Sequence, residues 1–99
     1  IYPSRIEGFG MPPLEAMSYG TPTAAARSSS LPEVLQNRAF YFDPDDIETL
    51  VEIMNSTISN PERFIKNRID AMKLAQSYTW KKTAEKTLEV YSKFYTTKR

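Results

Sequence analysis

An α/β fold, part of a parallel sheet with flanking helices, is predicted by three features of this 99-residue sequence. Short candidate strands alternate with helix signals through the first half. All three glycines and five of the seven prolines precede residue 33, which marks short elements joined by specialised turns. The second half then carries apolar residues at helical spacing. The length allows one domain at most, or part of one.

Ile1-Tyr2 has the character of a strand end running into a loop at Pro3-Ser4. Pro12-Pro13 opens a short helix, since proline is tolerated in a first turn. Gly20 is placed to stop it, with Pro22 beyond. Thr23–Ala26, bracketed by Pro22 and a serine run, is read as a small buried strand. Ser30 and Glu33 form a capping-box pattern for a helix over residues 31–35. Ala39–Phe42 reads as a strand and as core, ended by Asp43-Pro44. Asp45 with Glu48 predicts the next cap, before a stripe of Ile47, Leu50, Val51, Met54 and Ile58. Asn60-Pro61 predicts another helix start, with Ile65, Ile69, Met72 and Gln76 along one stripe. Thr79 caps the last helix, where Trp80, Ala84, Leu88, Tyr91 and Tyr95 share a face. Three strands are few for a sheet, so the remainder is expected in sequence beyond these residues. The opening Ile1, with no initiator Met, fits a segment of a longer chain.

Composition removes whole classes of chemistry. With no cysteine there is no disulfide or thiolate metal site, and with no histidine the commonest general base is missing. Chemistry must rest on carboxylates, hydroxyls, cations and backbone amides. Thirteen basic against twelve acidic residues leave a charge of +1, which gives no reason to expect nucleic acid as a partner. No apolar run approaches the roughly 18 residues of a membrane span, and no signal peptide is visible.

The informative stretch is Glu7-Gly8-Phe9-Gly10-Met11-Pro12-Pro13-Leu14-Glu15. Two glycines flanking an aromatic just before a helix let backbone approach a ligand closely. The helix N-terminus turns amides and the positive end of its dipole into the same space, which suits a phosphate. Glu7 and Glu15 bracket that space, and carboxylates accept hydrogen bonds from paired hydroxyls such as those of a sugar or ribose. These parts together describe a pocket for a phosphorylated sugar.

That run, with Pro3-Ser4 before it and Ala16-Met17, Gly20-Thr21-Pro22, Ser29–Val34 and Asp43-Pro44 after it, resembles the signature block of glycosyltransferase family 4. Such enzymes are retaining transferases of the GT-B fold, two Rossmann-like domains about a cleft. Their Glu, seven residues, Glu motif is matched by Glu7 and Glu15. The resemblance implies that residues 1–99 are the C-terminal portion of the nucleotide-sugar-binding domain, with its terminal helices. It implies that Glu7 is the catalytic residue, contacting hydroxyls of the transferred sugar near the reacting centre. Gly8 belongs to the same donor loop, and the amides of Phe9, Gly10 and Met11 meet donor sugar and diphosphate. Leu14 packs near the nucleoside, and Glu15 holds the ribose hydroxyls. The donor is then a nucleotide diphosphate sugar, the acceptor a saccharide or lipid-linked saccharide, and no metal or further cofactor is implied. A cytoplasmic setting in polysaccharide assembly follows, at the inner face of a membrane if the parent associates with one. The Arg/Lys pair that clamps the diphosphate in the family lies upstream of these residues, so no turnover is expected from them alone. Ser18-Tyr19, Thr23-Ala24 and Gln36-Asn37-Arg38 depart from the family pattern, the last by lacking a glycine.

Plainer roles exist for the same residues. Glu15 early in a helix suits the dipole without a ligand, and Glu7 beside Arg5 suits a surface ion pair. Capping by Ser30 is a sufficient role for the Ser28–Ser30 run. Lys81, Lys82, Lys86, Lys93, Lys98 and Arg99, interleaved with Glu85 and Glu89, read as a solvated face rather than a lipid-binding one. Two alternatives stand beside a polymer-building transferase: a noncatalytic GT-B homologue serving interaction or regulation, and a synthase making a disaccharide.

Overall fold

Three alanines form the central strand. In the computed structural model, which describes residues 1–97, the elements run α1 (Met11–Ser18), β1 (Ala24–Ala26), α2 (Leu31–Leu35), a 3-10 turn (Gln36–Arg38), β2 (Phe40–Phe42), α3 (Ile47–Ser59), α4 (Glu62–Ser77) and α5 (Trp80–Thr97). β1 pairs in parallel with β2, Ala25 opposite Tyr41. On its other side Tyr2 adds a parallel bridge to Ala25, through Tyr2 N–H to Ala24 O (2.8 Å) and Ala26 N–H to Tyr2 O (3.0 Å). The short strand end at Ile1-Tyr2 is therefore the third strand position of the sheet.

Successive residues of a strand point to opposite faces, and helices cover both. Ala24, Ala26 and Phe42 meet Leu50 and Ile53 of α3. Ala25 joins Leu14 and Met17 of α1, Leu31, Val34 and Leu35 of α2, Ala39, and Ala71 of α4 on the opposite side. Each large apolar side chain buried there contributes about 1.5–3 kcal/mol. α1 packs chiefly against α4. Its end is a Schellman motif: Gly20 (φ 76°) donates to Met17 O at 2.9 Å and Thr21 to Ala16 O at 3.1 Å. The glycine stop predicted at Gly20 holds, and a Cβ there would run into the Arg68 side chain of α4.

The caps differ in part from their sequence patterns. Asp46, not Asp45, caps α3, accepting from Thr49 N–H at 3.1 Å and from its hydroxyl at 2.6 Å. Asp45 instead pairs with Arg5. Pro61 takes the cap position of α4 with no side-chain bond, so Asn60 contributes none. Ser30 stands at the cap position of α2, but its hydroxyl does not serve the helix, so the Ser30–Glu33 box is not formed. Thr79 caps α5 as expected, accepting from Lys82 N–H at 3.1 Å.

The helical stripes lie on helices as spaced, but burial selects among their residues. α4 buries Phe64 and Ala71, while Ile65 and Ile69 are exposed. Phe64 wins because it packs against Phe40 of the edge strand, ring centres 4.6 Å apart and the planes tilted by 54°. On α3, Leu50 and Ile53 face the sheet and Ile47, Val51, Met54 and Ile58 face outward. On α5, Trp80, Leu88, Tyr91 and Tyr95 are all exposed, and so are Lys81, Lys82, Lys86 and Lys93. Lys98 and Arg99 lie outside the described residues. Of the aromatic strand, Phe42 is buried while Phe40 and Tyr41 are half-buried, Tyr41 beneath the Arg27 guanidinium.

The two neighbouring aspartates separate by experiment. Asp46→Ala is expected to lower stability by about 1 kcal/mol in denaturant unfolding. Asp45→Ala removes only an exposed ion pair and is expected to change stability by less than about 0.5 kcal/mol.

Candidate functional site

All three strand positions end at the same edge of the sheet, so the loops that follow them meet there. The Pro3–Gly10 loop leaves Tyr2, Arg27–Ser30 leaves β1, and Asp43–Asp46 leaves β2. The carboxyl ends of parallel strands are where open α/β sheets present ligand crevices.

Serine hydroxyls join the first two loops. Ser28 donates to Ser4 O at 2.6 Å, and Ser29 and Ser30 both donate to Glu7 O, at 2.9 and 2.8 Å. The Glu7 N–H returns a bond to Ser29 Oγ at 3.2 Å. In the Ser28–Ser30 run, read from sequence as a cap, Ser29 and Ser30 thus hold the Glu7 backbone and Ser28 holds the Ser4 carbonyl. The signal of the run was legible only as three consecutive short donors, because their acceptors lie more than twenty residues away.

The Glu7 side chain is anchored separately. Its Oε1 accepts from the Tyr2 hydroxyl at 2.5 Å. That bond, with the Ser4 hydroxyl contributing, holds the Glu7 carboxyl below its ordinary range, and the Tyr2 phenol is correspondingly raised. Arg5 is not the partner of Glu7, because it reaches across to Asp45.

Beyond Glu7 the chain presents backbone. The amides of Gly8, Phe9, Gly10 and Met11 have no hydrogen-bond partner among the described residues, and α1 has no side-chain cap. Pro12 and Pro13 carry no N–H, so the donors at this helix start are the amides before them. The two glycines differ. Gly8 is exposed and a Cβ there would meet nothing within 4 Å. Gly10 is buried at φ 108°, and a Cβ would fall 2.7 Å from Leu31 Cδ2. Gly10 therefore serves conformation and packing, and Gly8 leaves open space above the loop.

Glu15 is exposed and lies just past the first turn of α1, which contains no acidic residue. A dipole role for it is weakened accordingly. Leu14, one residue earlier, is 5% exposed and belongs to the core. Phe9 and Met11 stand half-exposed at the rim of a cleft of about 590 Å³ completed by Tyr78, Thr79, Trp80 and Thr83. Tyr78 packs edge-on against Phe9, centres 5.4 Å apart, and bonds to Val34 O at 2.8 Å. These α4–α5 junction residues were not legible as neighbours of the loop.

No group of three or more potential metal-ligating side chains occurs among the described residues, and no described helix is long and apolar enough to cross a membrane.

Residues 1–77 match the family described as Glycosyl transferases group 1. The chain is 34% identical, over 92% of its length, to O-antigen chain mannosyltransferase B of Escherichia coli, covering 24% of that protein. It is 30% identical, over 94% of its length, to the serotype-specific mannosyltransferase WbdA of Escherichia coli, covering 11%. It is 31% identical, over 89% of its length, to sucrose synthase of Nitrosomonas europaea, covering 12%. The chain thus spans a quarter or less of these relatives. Its fold matches sucrose-phosphate synthase from Thermosynechococcus elongatus with a TM-score of 0.81 at 21% identity, over 96% of this chain and 25% of that one.

Gly10→Ala is expected to lower stability by about 2 kcal/mol, from the positive φ and the Leu31 overlap together. Gly8→Ala is expected to change it by less than about 1 kcal/mol. Paired urea melts check both.

Proposed function

Since the chain belongs to the group 1 glycosyl transferases, we propose that it forms part of the donor side of a GT-B cleft. The parent enzyme, on this reading, is a retaining hexosyltransferase, and Glu7 and Glu15 are the paired glutamates of family 4. The observation that carries the reading is the run of four unpartnered amides, Gly8 to Met11, beside an anchored carboxylate. Free amides at a helix start accept an anionic diphosphate, and an ionised carboxylate accepts hydrogen bonds from sugar hydroxyls.

The nucleotide diphosphate sugar then lies along the loop. The amides of Phe9, Gly10 and Met11 meet the diphosphate and sugar, Glu7 takes hydroxyls of the transferred hexose, and the exposed Glu15 takes the ribose. Leu14 acts from the core, supporting the helix turn on which Glu15 stands. In the reaction the bond between the anomeric carbon and the diphosphate oxygen breaks. A bond to an acceptor hydroxyl oxygen forms with the same anomeric configuration, its proton passes to the departing diphosphate oxygen, and the nucleoside diphosphate leaves. Negative charge growing on that leaving group is stabilised by the amides. The reading invokes no metal. The acceptor on this reading is a saccharide or lipid-linked saccharide, and the O-antigen chain in the name of one mannosyltransferase relative supports a saccharide. On this reading the setting is cytoplasmic polysaccharide assembly, at the inner face of a membrane if the parent associates with one.

The test is an NMR titration of the chain with UDP, GDP and their glucose, mannose and N-acetylhexosamine conjugates. Shifts concentrated in residues 7–15 are expected, weakened about tenfold by Glu15→Ala. Gly8→Ala, whose added Cβ meets nothing within 4 Å, is expected to weaken binding while leaving the fold intact. Absence of shifts with every ligand in a folded sample contradicts the donor-site reading.

A further inference from the structure

We propose that Tyr2 is a positioning residue for Glu7: its hydroxyl, bonded to one carboxylate oxygen, aims the other at a sugar hydroxyl of the donor. The inference rests on the donor-site reading and extends it to a residue outside the Glu7–Glu15 run.

The argument begins with what fixes each end of the contact. Tyr2 is tied to β1 by two backbone bonds, and its half-buried ring packs against the core around Ala25. The place of its hydroxyl is therefore set by the sheet. Glu7 is tied from the other side, its N–H and C=O both held by the serine turn. Between these anchors the Tyr2 hydroxyl reaches Oε1 at 2.5 Å. An unanchored glutamate on an exposed loop samples many rotamers, and a ligand must then order it. Here that ordering is done by the protein before any ligand arrives.

Protonation states agree with the geometry. The Tyr2 bond first, with the Ser4 hydroxyl adding to it, holds the Glu7 carboxyl below its ordinary range, so it is an acceptor throughout the neutral range. The Tyr2 phenol is raised and stays a donor. Arg5, two residues from Glu7, is engaged by Asp45 instead, so it does not occupy the remaining carboxylate oxygen. A phenylalanine at position 2 would keep the ring packing and lose only the donor, which makes Tyr2→Phe a clean probe.

The experiment compares the chain with Tyr2→Phe and Glu7→Gln. The Glu7 carboxyl is titrated through its ¹³C shift, and GDP-mannose and UDP-glucose are titrated as donor probes. Tyr2→Phe is expected to move the Glu7 midpoint upward and to weaken the responding donor about five- to tenfold, with Glu7→Gln weakening it at least as much. A midpoint unchanged in Tyr2→Phe, even with lowered thermal stability, reduces Tyr2 to a sheet residue and overturns the proposal. Loss of binding in Glu7→Gln with full binding in Tyr2→Phe overturns the positioning role while leaving the donor site standing. Donor binding that ignores Glu7→Gln overturns the role assigned to Glu7, and the proposal with it.

Discussion

The site depends on a strand that has almost no side chains. Ala24–Ala26 is buried on both faces, and alanine lets α3 close on one side while α1, α2 and α4 close on the other. A strand covered on both faces has no solvent-facing alternative, and a slip of one residue would exchange its two packed faces. The register with β2 and the bridge to Tyr2 are fixed by that packing. Because all three segments run parallel, their following loops are delivered to one edge.

At that edge the loops are joined by short hydroxyl side chains rather than by a core. Each serine bond is individually modest, about 1 kcal/mol net, but together they hold both backbone groups of Glu7. With the Tyr2 hydroxyl on the carboxylate, one exposed-loop residue is gripped through backbone and side chain. The neighbouring amides from Gly8 to Met11 remain unengaged. A fixed acceptor beside free donors is a polar surface organised before a ligand meets it, the condition under which electrostatic stabilisation needs little rearrangement.

Away from the edge the molecule is less complete in its packing. The outward stripe of α3 and nearly the whole of α5 leave Ile47, Ile58, Trp80, Leu88, Tyr91 and Tyr95 exposed. The chain extends 60 Å along its long axis and 16 Å along its shortest. Its buried core is correspondingly small and gathered around β1.

By itself the sequence determined the order of elements, the α2 bounds, the glycine stop at Gly20, the Thr79 cap and the buried alanine strand. These follow from local chemistry: proline's fixed φ, glycine's freedom at positive φ, and side chains capping amides two or three residues on. It also made the Glu7–Glu15 run conspicuous, since loop glycines, prolines and paired carboxylates are adjacent in the chain. Tertiary structure decided which apolar faces are buried: α3 and α4 carry more apolar positions than the small sheet can cover, so Leu50, Ile53, Phe64 and Ala71 were selected by contact. It decided that Ser30 serves the Glu7 carbonyl instead of its own helix, that Asp45 meets Arg5, and that Tyr2 meets Glu7. Most of those partners are fixed by strand register across tens of residues. Hydroxyl and carboxylate groups choose among acceptors and donors by distance in space, which local spacing does not encode.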